Sequence, residues 1–536
     1  MHARALIAAA AALIASAQTA PSIDPGGIVN NASYLPQCMS NAGIAQGSLF
    51  AVFGAGLGPS TLVTAGAYPL STTLASVSVR VTAGGTGYDA LPLYASARQV
   101  GAILPSAVPP GDATVHVIYQ GRSSAPASMR VRRAAFGIFT ADQRGGGPAV
   151  VENVSSSGAT AVNAPTRPLR PGQLAVIWGT GLGRVTGDES AGPLPGDLPV
   201  DVKVFAGDRQ GRVIYRGRSG CCAGLDQIVF ETPAGVEGCQ VPLTVEVDGV
   251  LSNFATVAIS QGEACNQTRR PAPVPSNDPN FAMGSIVFLD GYGSVLLPTA
   301  LEDYVRLAFF KRGRIEGNVE PALWAFEPEA EMPSGSCMVR VGTAFPPQPA
   351  PQQGPLDAGS AVRVTGPGGT FTLDQNPAAL GNYEDSRRVL IPPGRYRVDN
   401  GAGGRDVGPF AFETDTLALK LTGNYDRVAR DRDLTVTWDY AGSAGNRLTL
   451  FGSSRGACGR DLVSFTCVVP ADAGRFVVPS RIVSLLPVSG QIFGIYDGAL
   501  NLSTTNSGGL KRFQARGLDL GVFIHISISA VRVAYE

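Results

Sequence analysis

The chain contains an internal repeat, and this repeat constrains the fold more than any other feature of the sequence. Residues 44–58 read IAQGSLFAVFGAGLG, and residues 169–183 read LRPGQLAVIWGTGLG. The two stretches align without a gap and place Gly47 on Gly172, an offset of 125 residues. Self-similarity at a fixed offset is typical of repeated structural units, so we expect two consecutive units of about 120 residues each.

Each repeated unit has the pattern of a β-sandwich. A second pair of segments, 94–105 and 222–233, places Gln99 on Gln227. Residues 243–247, LTVEV, alternate apolar and polar side chains as a half-buried strand does. An Asp-Gly turn signal follows directly. Several short strands with such punctuation in about 120 residues predict an immunoglobulin-like sandwich.

Composition extends this expectation to the whole chain. Its 536 residues include 67 Gly and 40 Pro, which interrupt helices and exclude a mainly helical protein. Apolar residues make up 44%, enough to bury a core, which excludes wholesale disorder. The 42 basic and 42 acidic residues balance, so net charge attracts neither nucleic acid nor an anionic membrane. We expect an all-β protein of tandem immunoglobulin-like β-sandwich domains joined by Pro-rich linkers, with no nucleic-acid partner.

The first half of the chain resembles a known group of repeats. Besides the segments above, the motifs are GIVNNASY at 27–34, FGIFT at 136–140 and the Cys-rich stretch 217–239. Together they are similar to the tandem Ig-like repeats, related to IPT/TIG-type sandwiches, of a family of exported acidobacterial proteins. The resemblance covers about 24–265, and shorter segments are similar to the C-terminal part of some members: 334–341, 356–369, 392–410 and 433–438. The resemblance implies export and a β-sandwich architecture, and it implies no activity and no catalytic residues.

The expected domain boundaries follow from the repeat and from two Pro-rich stretches. Residues 266–283 read as a linker, and residues 345–355 read as a loop inside a domain. The predicted division is a signal peptide at 1–17, Ig-like repeat 1 at 24–142, Ig-like repeat 2 at 143–265, the linker at 266–283, a β-sandwich domain at 284–424 and a C-terminal β-sandwich domain at 425–536.

The N-terminus reads as a secretory signal. Arg4 supplies the positive charge, and the apolar run Ala5–Ile14 is too short to span a bilayer. Ala15–Ala17 fits a signal-peptidase site, which predicts cleavage before Gln18. No later stretch has 18 consecutive apolar residues. We expect a protein that is secreted to the extracellular space, the cell surface or the periplasm, with no integral membrane segment after cleavage.

Eight cysteines in an exported chain favour disulfides. Four of them cluster within 45 residues and are expected to pair among themselves in one of three connectivities: Cys221, Cys222, Cys239 and Cys265. Cys458 and Cys467 are nine residues apart and are expected to join two adjacent strands. The CxxC and His-spaced pairs of zinc sites are absent from the sequence.

Two glycine-rich turns, at 52–59 and 177–184, partly match a dinucleotide-binding loop. That fingerprint needs GxGxxG at the start of a helix, so that the backbone approaches the pyrophosphate. The third glycine is replaced by Pro59 in one copy and by Arg184 in the other, and no helical pattern follows. We interpret both as turns of the repeat and expect no cofactor.

A hydrolase is the alternative hypothesis. Gly452–Gly456 reads GSSRG, which matches the GxSxG nucleophile motif, and Asp497 and His525 follow Ser454 in the order Ser, Asp, His. A working nucleophile needs a strand-to-helix turn and a positioned histidine. A strand pattern follows the motif instead, and His525 lies in an alternating strand pattern, on its polar side. We expect a polar turn, a surface histidine and no catalytic residue, with a carboxylate pair as the other form of this alternative.

Metal chemistry is limited by the supply of ligands. The mature chain has two histidines, His116 and His525, which argues against a site of two or three histidines. Oxygen-rich loops could hold calcium at Asp399 with Asp406 or at Asp431 with Asp433, although the EF-hand pattern is absent. We expect no metal site as the simpler interpretation. The charged side chains, including Glu327, Glu329 and Glu331, are then ordinary surface.

These patterns favour an exported, non-enzymatic protein of several β-sandwich units. Loops on a rigid sandwich are a common place for binding sites. We expect either a binding or adhesion module with an extracellular glycan or protein ligand, or an extracellular spacer. The alternative is a secreted hydrolase that uses Ser454 or a carboxylate pair.

Overall fold

The computed structural model describes residues 20–265, 281–294, 297–311, 332–343, 353–376, 380–384, 391–442, 444–459, 461–505 and 511–536. The predicted signal peptide, most of the predicted linker, most of the Pro-rich loop and Glu327, Glu329 and Glu331 lie outside these residues. The described chain is almost entirely β, which confirms the predicted fold class.

The first unit is a sandwich of two sheets. Its strands are β1 (Ser22–Asn30), β2 (Ile44–Ala45), β3 (Leu49–Ala55), β4 (Val63–Thr64), β5 (Val77–Ala83), β6 (Thr86–Asp89), β7 (Leu91–Ala95), β8 (Gln99–Ile103), β9 (Gly111–Tyr119), β10 (Arg122–Ser123) and β11 (Ala127–Arg132). One sheet has the order β1-β3-β8-β7-β4, and the other has the order β2-β11-β9-β5-β6. Phe50 and Val100 of one sheet and Val79 and Val115 of the other lie in one fully buried core.

The second unit repeats this layout with its two layers joined. Its strands are β12 (Gly137–Ile138), β13 (Val151–Val154), β14 (Thr160–Val162), β15 (Leu174–Thr180), β16 (Gly196–Asp197), β17 (Val202–Ala206), β18 (Arg209–Arg218), β19 (Asp226–Glu231), β20 (Gly238–Val247), β21 (Val250–Leu251) and β22 (Ala255–Ile259). The long strand β18 pairs with β19 in one layer and with β17 in the other. In the first unit the corresponding strand is divided into β6 and β7.

Strand pairing shows that the sequence repeat is a structural repeat. In the first unit Phe53 of β3 lies opposite Gln99 of β8. In the second unit Trp178 of β15 lies opposite Gln227 of β19, which is the equivalent register. Gly47 and Gly172, equivalent in the alignment, both have positive φ, at 69° and 81°. The shared glycines are therefore turn and strand positions of a duplicated sandwich.

The rest of the chain forms a third body, called here the C-terminal body (described residues 281–536). Its strands are β23 (Ala282–Ser294), β24 (Leu297–Lys311), β25 (Cys337–Thr343), β26 (Gln353–Pro355), β27 (Ala361–Gly366), β28 (Gly369–Gln375), β29 (Asn382–Glu384), β30 (Gly394–Asp399), β31 (Ala411–Thr416), β32 (Ala418–Leu421), β33 (Arg427–Val428), β34 (Leu434–Ala441), β35 (Arg447–Ser454), β36 (Asp461–Pro470), β37 (Arg475–Val478), β38 (Gln491–Ile492), β39 (Ile495–Tyr496), β40 (Gly498–Thr505), β41 (Lys511–Phe513) and β42 (Leu520–Tyr535).

One long sheet runs through the C-terminal body, in the order β25-β36-β35-β40-β42-β23-β24-β29-β28-β27-β30-β31. The 16-residue strand β42 joins its two halves, since its first half pairs in parallel with β23 and its second half pairs antiparallel with β40. The predicted boundary between a sandwich at 284–424 and one at 425–536 therefore falls inside one hydrogen-bonded sheet, while the apolar cores of its two halves are separate clusters. Alternation along 520–535 predicts a strand, but it does not reveal a partner more than 200 residues away.

Some predicted boundaries also shift by a few residues, because a sequence pattern indicates a strand without indicating which strand it pairs with. Gly137 and Ile138, predicted in repeat 1, pair with β15 of the second unit. Ala282 and Met283, predicted in the linker, begin β23, and residues 353–355 of the predicted loop form β26. In the described residues the helices are the four-residue α1 (Ser480–Val483) and two short 3-10 turns, Gly456–Cys458 and Ala471–Ala473. None of these is long and apolar enough to cross a membrane.

Candidate functional site at the junction of the units

The structure separates the residues of the hypothetical hydrolase triad. Ser454 ends β35 and is fully buried, with its hydroxyl 3.2 Å from that of Ser489 and 3.5 Å from a carboxylate oxygen of Asp497. The sheet register places the neighbouring Ser453 beside Ala499, and Ala499 beside Arg532. His525 lies seven residues before Arg532, which is roughly 23 Å along an extended strand. The Ser454, Asp497 and His525 side chains therefore do not form a triad.

His525 is buried rather than at the surface, contrary to the expectation from alternation. It has no exposed area, because it shares the buried face of β42 with Phe523 and Ser527, whereas Ile524 and Ile526 on the other face are half-buried. Its Nε2 atom lies 3.3 Å from a carboxylate oxygen of Asp290, and Ser527 donates a 3.0 Å hydrogen bond to the same carboxylate. Ser527 is hydrogen-bonded to the acid directly and the imidazole lies beside it, so the imidazole does not stand between the hydroxyl and the carboxylate as hydrolysis requires.

The candidate calcium ligands carry other partners. Asp399 has Arg363 and Arg397 within 4 Å. The hydrogen bond from Arg405 lowers the pKa of Asp406, which also accepts the backbone N–H of Asp357. Asp431 and Asp433 are exposed, and Asp433 accepts the backbone N–H of Ser480. Within the described ranges, no three His, Cys, Asp or Glu side chains come together as metal ligands.

The eight cysteines form four disulfides. The four clustered ones join Cys221 to Cys222 and Cys239 to Cys265, one of the three connectivities left open. The predicted Cys458–Cys467 bond is wrong. Cys458 bonds to Cys38 of the first unit, and Cys467 bonds to Cys337 on the neighbouring strand, across 420 and 130 residues of sequence. The register of β25 and β36 places Cys337 directly opposite Cys467, which proximity in sequence does not indicate.

A buried ion pair links the first two units. Arg218 and Asp226 flank the loop between β18 and β19, form a salt bridge and are 3% and 0% exposed. The guanidinium also donates 2.7 Å hydrogen bonds to the carbonyl oxygens of Gly47 and Gly183. Burial raises the pKa of the Asp226 carboxyl, while Arg218 and two backbone N–H donors act in the opposite direction. One cation therefore binds backbone of both units at once.

Further buried polar contacts support this interface. Thr180 accepts the backbone N–H of Leu49 at 2.9 Å, and Asn30 donates to the carbonyl oxygen of Ala135 at 3.0 Å. The Glu189 carboxylate accepts hydrogen bonds from both the N–H and the hydroxyl of Ser106, each at 2.8 Å. Buried polar groups that are fully paired fix geometry, so the two repeats are docked in a defined orientation.

The C-terminal body packs against both repeats. One apolar cluster contains Met39 and Ala42 of the first unit, Leu251 and Phe254 of the second and the core of the C-terminal body around Phe465. Asn41 donates a 2.9 Å hydrogen bond to the carbonyl oxygen of Leu251. The Cys38–Cys458 bond then closes the arrangement covalently, from the first unit to the C-terminal body.

A cavity of about 370 Å³ lies at this three-way junction. Its walls come from residues 33–36, 39 and 41 of one segment and from residues 144–147, 252–254 and 338–342, with Leu485 and Asp461 beside them. Tyr34, Phe254 and Met338 are among its apolar lining, and Asn41 and Arg144 are among its polar lining. The carbonyl oxygen of the Asn41 side chain is buried without a hydrogen-bond partner. Burial raises the pKa of Tyr34, whose backbone has a positive φ of 52°.

This site was not found from the sequence. Its residues come from six separate segments, and each segment reads as an ordinary turn or strand. Tyr34 has a positive φ, which is uncommon for a tyrosine and therefore draws attention to this position. This backbone conformation is seen in the structure and cannot be inferred from the sequence. The cavity has the size and the mixed lining of sites that bind small ligands or single side chains of a larger ligand.

Comparisons with known proteins give no family assignment. No protein-family model matches the chain, and no curated protein matches it. Among solved structures, a Ca²⁺-stabilized adhesin that helps an Antarctic bacterium bind ice is similar at 10% identity, with 96% of this chain and 100% of that chain covered and a TM-score of 0.13.

Two further structures are similar at the same level. Domains 5–6 of the S-layer protein SbsC match at 11% identity over 45% of this chain and 98% of that chain, with a TM-score of 0.17. Domains A168–A170 of titin match at 11% identity over 74% of this chain and 99% of that chain, with a TM-score of 0.13. The resemblance to exported acidobacterial repeats stays a prediction.

Proposed function

We propose that the chain is an exported, non-enzymatic binding module whose ligand site is the cavity at the junction of the three bodies. Four disulfides support an oxidising, extracytoplasmic location. The observation that carries the proposal is the closure of the molecule, in which the first unit is bonded to the C-terminal body through Cys38 and Cys458.

Closure favours a binding module over an extensible spacer. A spacer separates what is attached to its two ends, and its units contact only their neighbours in sequence. Here the first and last bodies share an apolar cluster, and Ser40 donates a 3.1 Å hydrogen bond to the carbonyl oxygen of Ser484. The molecule therefore holds several loops in fixed positions around one concavity, as binding sites on rigid scaffolds are held.

The cavity supplies both kinds of contact that recognition needs. Tyr34, Phe254 and Met338 offer apolar surface, and Arg144 offers an exposed cation. The unpaired Asn41 oxygen is an acceptor whose burial costs free energy until a donor reaches it. A glycan hydroxyl or a peptide N–H is such a donor, and both meet the extracellular ligand class expected from the sequence.

Binding is tested with glycan arrays and cell-wall pull-downs of the purified mature protein. We expect retention by the native protein and loss of retention in the variant Tyr34→Ala, which removes a ring from the cavity wall. Tyr119→Ala is the matched control, since Tyr119 is a half-buried tyrosine of the first unit that does not line the cavity. Blank arrays and pull-downs for the native protein would contradict the binding proposal and favour the spacer.

Hydrolysis is tested separately with chromogenic esters and glycosides. We expect no turnover above buffer for the native protein, and no difference between it and Ser454→Ala, because Ser454 has no histidine beside it. Turnover that Ser454→Ala abolishes would overturn the non-enzymatic proposal.

A further inference from the structure

The two most exposed cysteines of the chain are neighbours in sequence. Cys221 and Cys222 are joined to each other, and both residues are exposed. In contrast, Cys337 and Cys467 are buried, and the cysteines of the other two disulfides are half-buried. Thiol–disulfide exchange requires an attacking thiolate to reach a sulfur atom, so accessibility orders the four bonds in their reaction with a reductant.

The exposed disulfide lies in a loop, residues 219–225, that docks on the first unit. The Ala223 N–H donates a 2.9 Å hydrogen bond to the Tyr68 hydroxyl oxygen. Ala223 itself packs into an apolar cluster of the first unit formed by Leu49, Leu70, Leu91 and Ile103. The carbonyl oxygen of the next residue, Gly224, accepts a 2.7 Å hydrogen bond from Thr180. The loop is thus part of the contact between the two repeats.

The base of the loop is fixed largely by contacts outside the disulfide, although the Ser219 hydroxyl also donates a 3.3 Å hydrogen bond to Cys221 Sγ. Ser219 and Leu225 are joined by a 2.9 Å backbone hydrogen bond, directly inside the buried Arg218–Asp226 pair. The Ser219 hydroxyl accepts the N–H of Cys221 at 3.1 Å. The bond between Cys221 and Cys222 closes a small ring that includes their shared peptide unit, and it restrains the segment between the fixed base and the docked Ala223.

We propose that Cys221–Cys222 is a thiol-exchange site, reduced by an external dithiol before the other three disulfides, and that its redox state controls how the 219–225 loop docks on the first unit. In the reaction one thiolate of the dithiol attacks one cysteine sulfur and forms a mixed disulfide, releasing the other cysteine as a thiol. The second thiol of the reductant then displaces the first cysteine. Two electrons and two protons pass from the dithiol to the two cysteines, and the dithiol leaves as its cyclic disulfide.

Reduction opens the ring and leaves in place the backbone hydrogen bond between Ser219 and Leu225 and the Arg218–Asp226 pair. The two freed side chains regain their rotamers, and the backbone from 221 to 223 regains ordinary torsional freedom. The contacts of Ala223 with Tyr68 and the apolar cluster then hold a more flexible segment. The expected result is weaker docking of one loop, while Arg218 and Asp226 keep the repeats together.

The order of reduction is measured by titrating the native protein with dithiothreitol, quenching with N-ethylmaleimide and mapping the alkylated peptides. Cys221 and Cys222 should be alkylated at about tenfold lower reductant than the other six cysteines, which corresponds to about 30 mV for a two-electron couple. Simultaneous alkylation of all eight, or earlier alkylation of another pair, would overturn the proposal.

The effect on docking is measured by hydrogen–deuterium exchange of the peptide that covers 219–225. Selective reduction should raise exchange at Ala223 about tenfold, the size expected for losing one buried hydrogen bond. The double variant C221S/C222S should show the same exchange and should not respond to reductant. The double variant C239S/C265S, which lacks a different disulfide, should retain native exchange at Ala223. Unchanged exchange after selective reduction would overturn the proposed control even if C221S/C222S failed to fold.

Discussion

At the residue scale, one buried cation accounts for much of the fit between the repeats. Arg218 satisfies Asp226 and two carbonyl oxygens, one from each unit. Asp226 in turn accepts the backbone N–H groups of Gly181 and Leu182, at 2.7 and 2.8 Å. A buried charge that loses its partner is costly, so this network makes the docked orientation sensitive to a single side chain.

The substitution Arg218→Met leaves the Asp226 carboxylate buried without its cation. We expect it to lower the free energy of unfolding by about 3–5 kcal/mol, as measured by urea denaturation. The matched control is Arg212→Met, because Arg212 pairs with Glu231 while 72% exposed. The control should lose no more than about 1 kcal/mol. Equal losses for the two variants would contradict the role assigned to the buried pair.

Two glycines of the second repeat should differ in their tolerance of substitution. Gly172 has φ near +81° and open space around it, so Gly172→Ala should cost about 1–2 kcal/mol of unfolding free energy from backbone strain alone. At Gly181, φ is +115° and a Cβ would collide with the carbonyl oxygen of Ala135. Gly181→Ala should therefore be the more destabilising variant in the same denaturation assay. The reverse order would contradict the close approach of Gly181 to the Ala135 carbonyl oxygen.

At the element scale, β42 decides the architecture of the C-terminal body. Phe523 on this strand is fully buried and packs edge-on against Phe288 of β23, with ring centroids 5.1 Å apart. It also meets Phe412 of β31, at 5.6 Å. The strand is therefore held both by its hydrogen bonds and by rings from the other half of the sheet.

The substitution Phe523→Ala should destabilise the body by about 3–5 kcal/mol. Because one sheet contains both β23 and β40, hydrogen exchange should rise in both strands. Phe50→Ala, a fully buried phenylalanine of the first unit, is the control and should leave both strands protected. A rise in hydrogen exchange confined to β40 would instead support the two separate sandwiches that the sequence predicts.

The β38–β39 hairpin exposes an aromatic tip. Phe493 is 100% exposed and has a positive φ, followed by Gly494, also with positive φ. Asn-Gly is the favoured pair at such turns, so Phe493→Asn should raise the free energy of unfolding by up to about 1 kcal/mol. Retention on a hydrophobic-interaction column should fall. Leu62→Asn, which replaces another exposed apolar residue, should lower retention without the gain in stability.

How far the sequence predicts the molecule depends on the distance over which an element finds its partner. The register of Phe53 with Gln99 recurs in Trp178 with Gln227, and the repeat predicted this duplication because each unit pairs its strands locally. The pairing of β42 with β23 was missed because alternation carries no information about distant partners. The expectation of a surface His525 was wrong because alternation distinguishes two faces of a strand without showing which one is covered, and the face with Phe523 and Ser527 is the buried one.

At the scale of the whole molecule, three bodies close around one cavity. The repeats are docked through buried polar contacts, the C-terminal body shares an apolar cluster with both, and Cys38–Cys458 joins the ends of this arrangement. The cavity could not be predicted from the sequence, because its walls come together only when all three bodies are in place. The same closure favours a binding module over a spacer.

The most direct test of this closure is a disulfide map of the non-reduced protein by proteolysis and mass spectrometry. We expect a cross-linked peptide containing Cys38 and Cys458 and another containing Cys337 and Cys467. A peptide that joins Cys458 to Cys467, with Cys38 free, would contradict it, because the first unit would then have no disulfide to the C-terminal body.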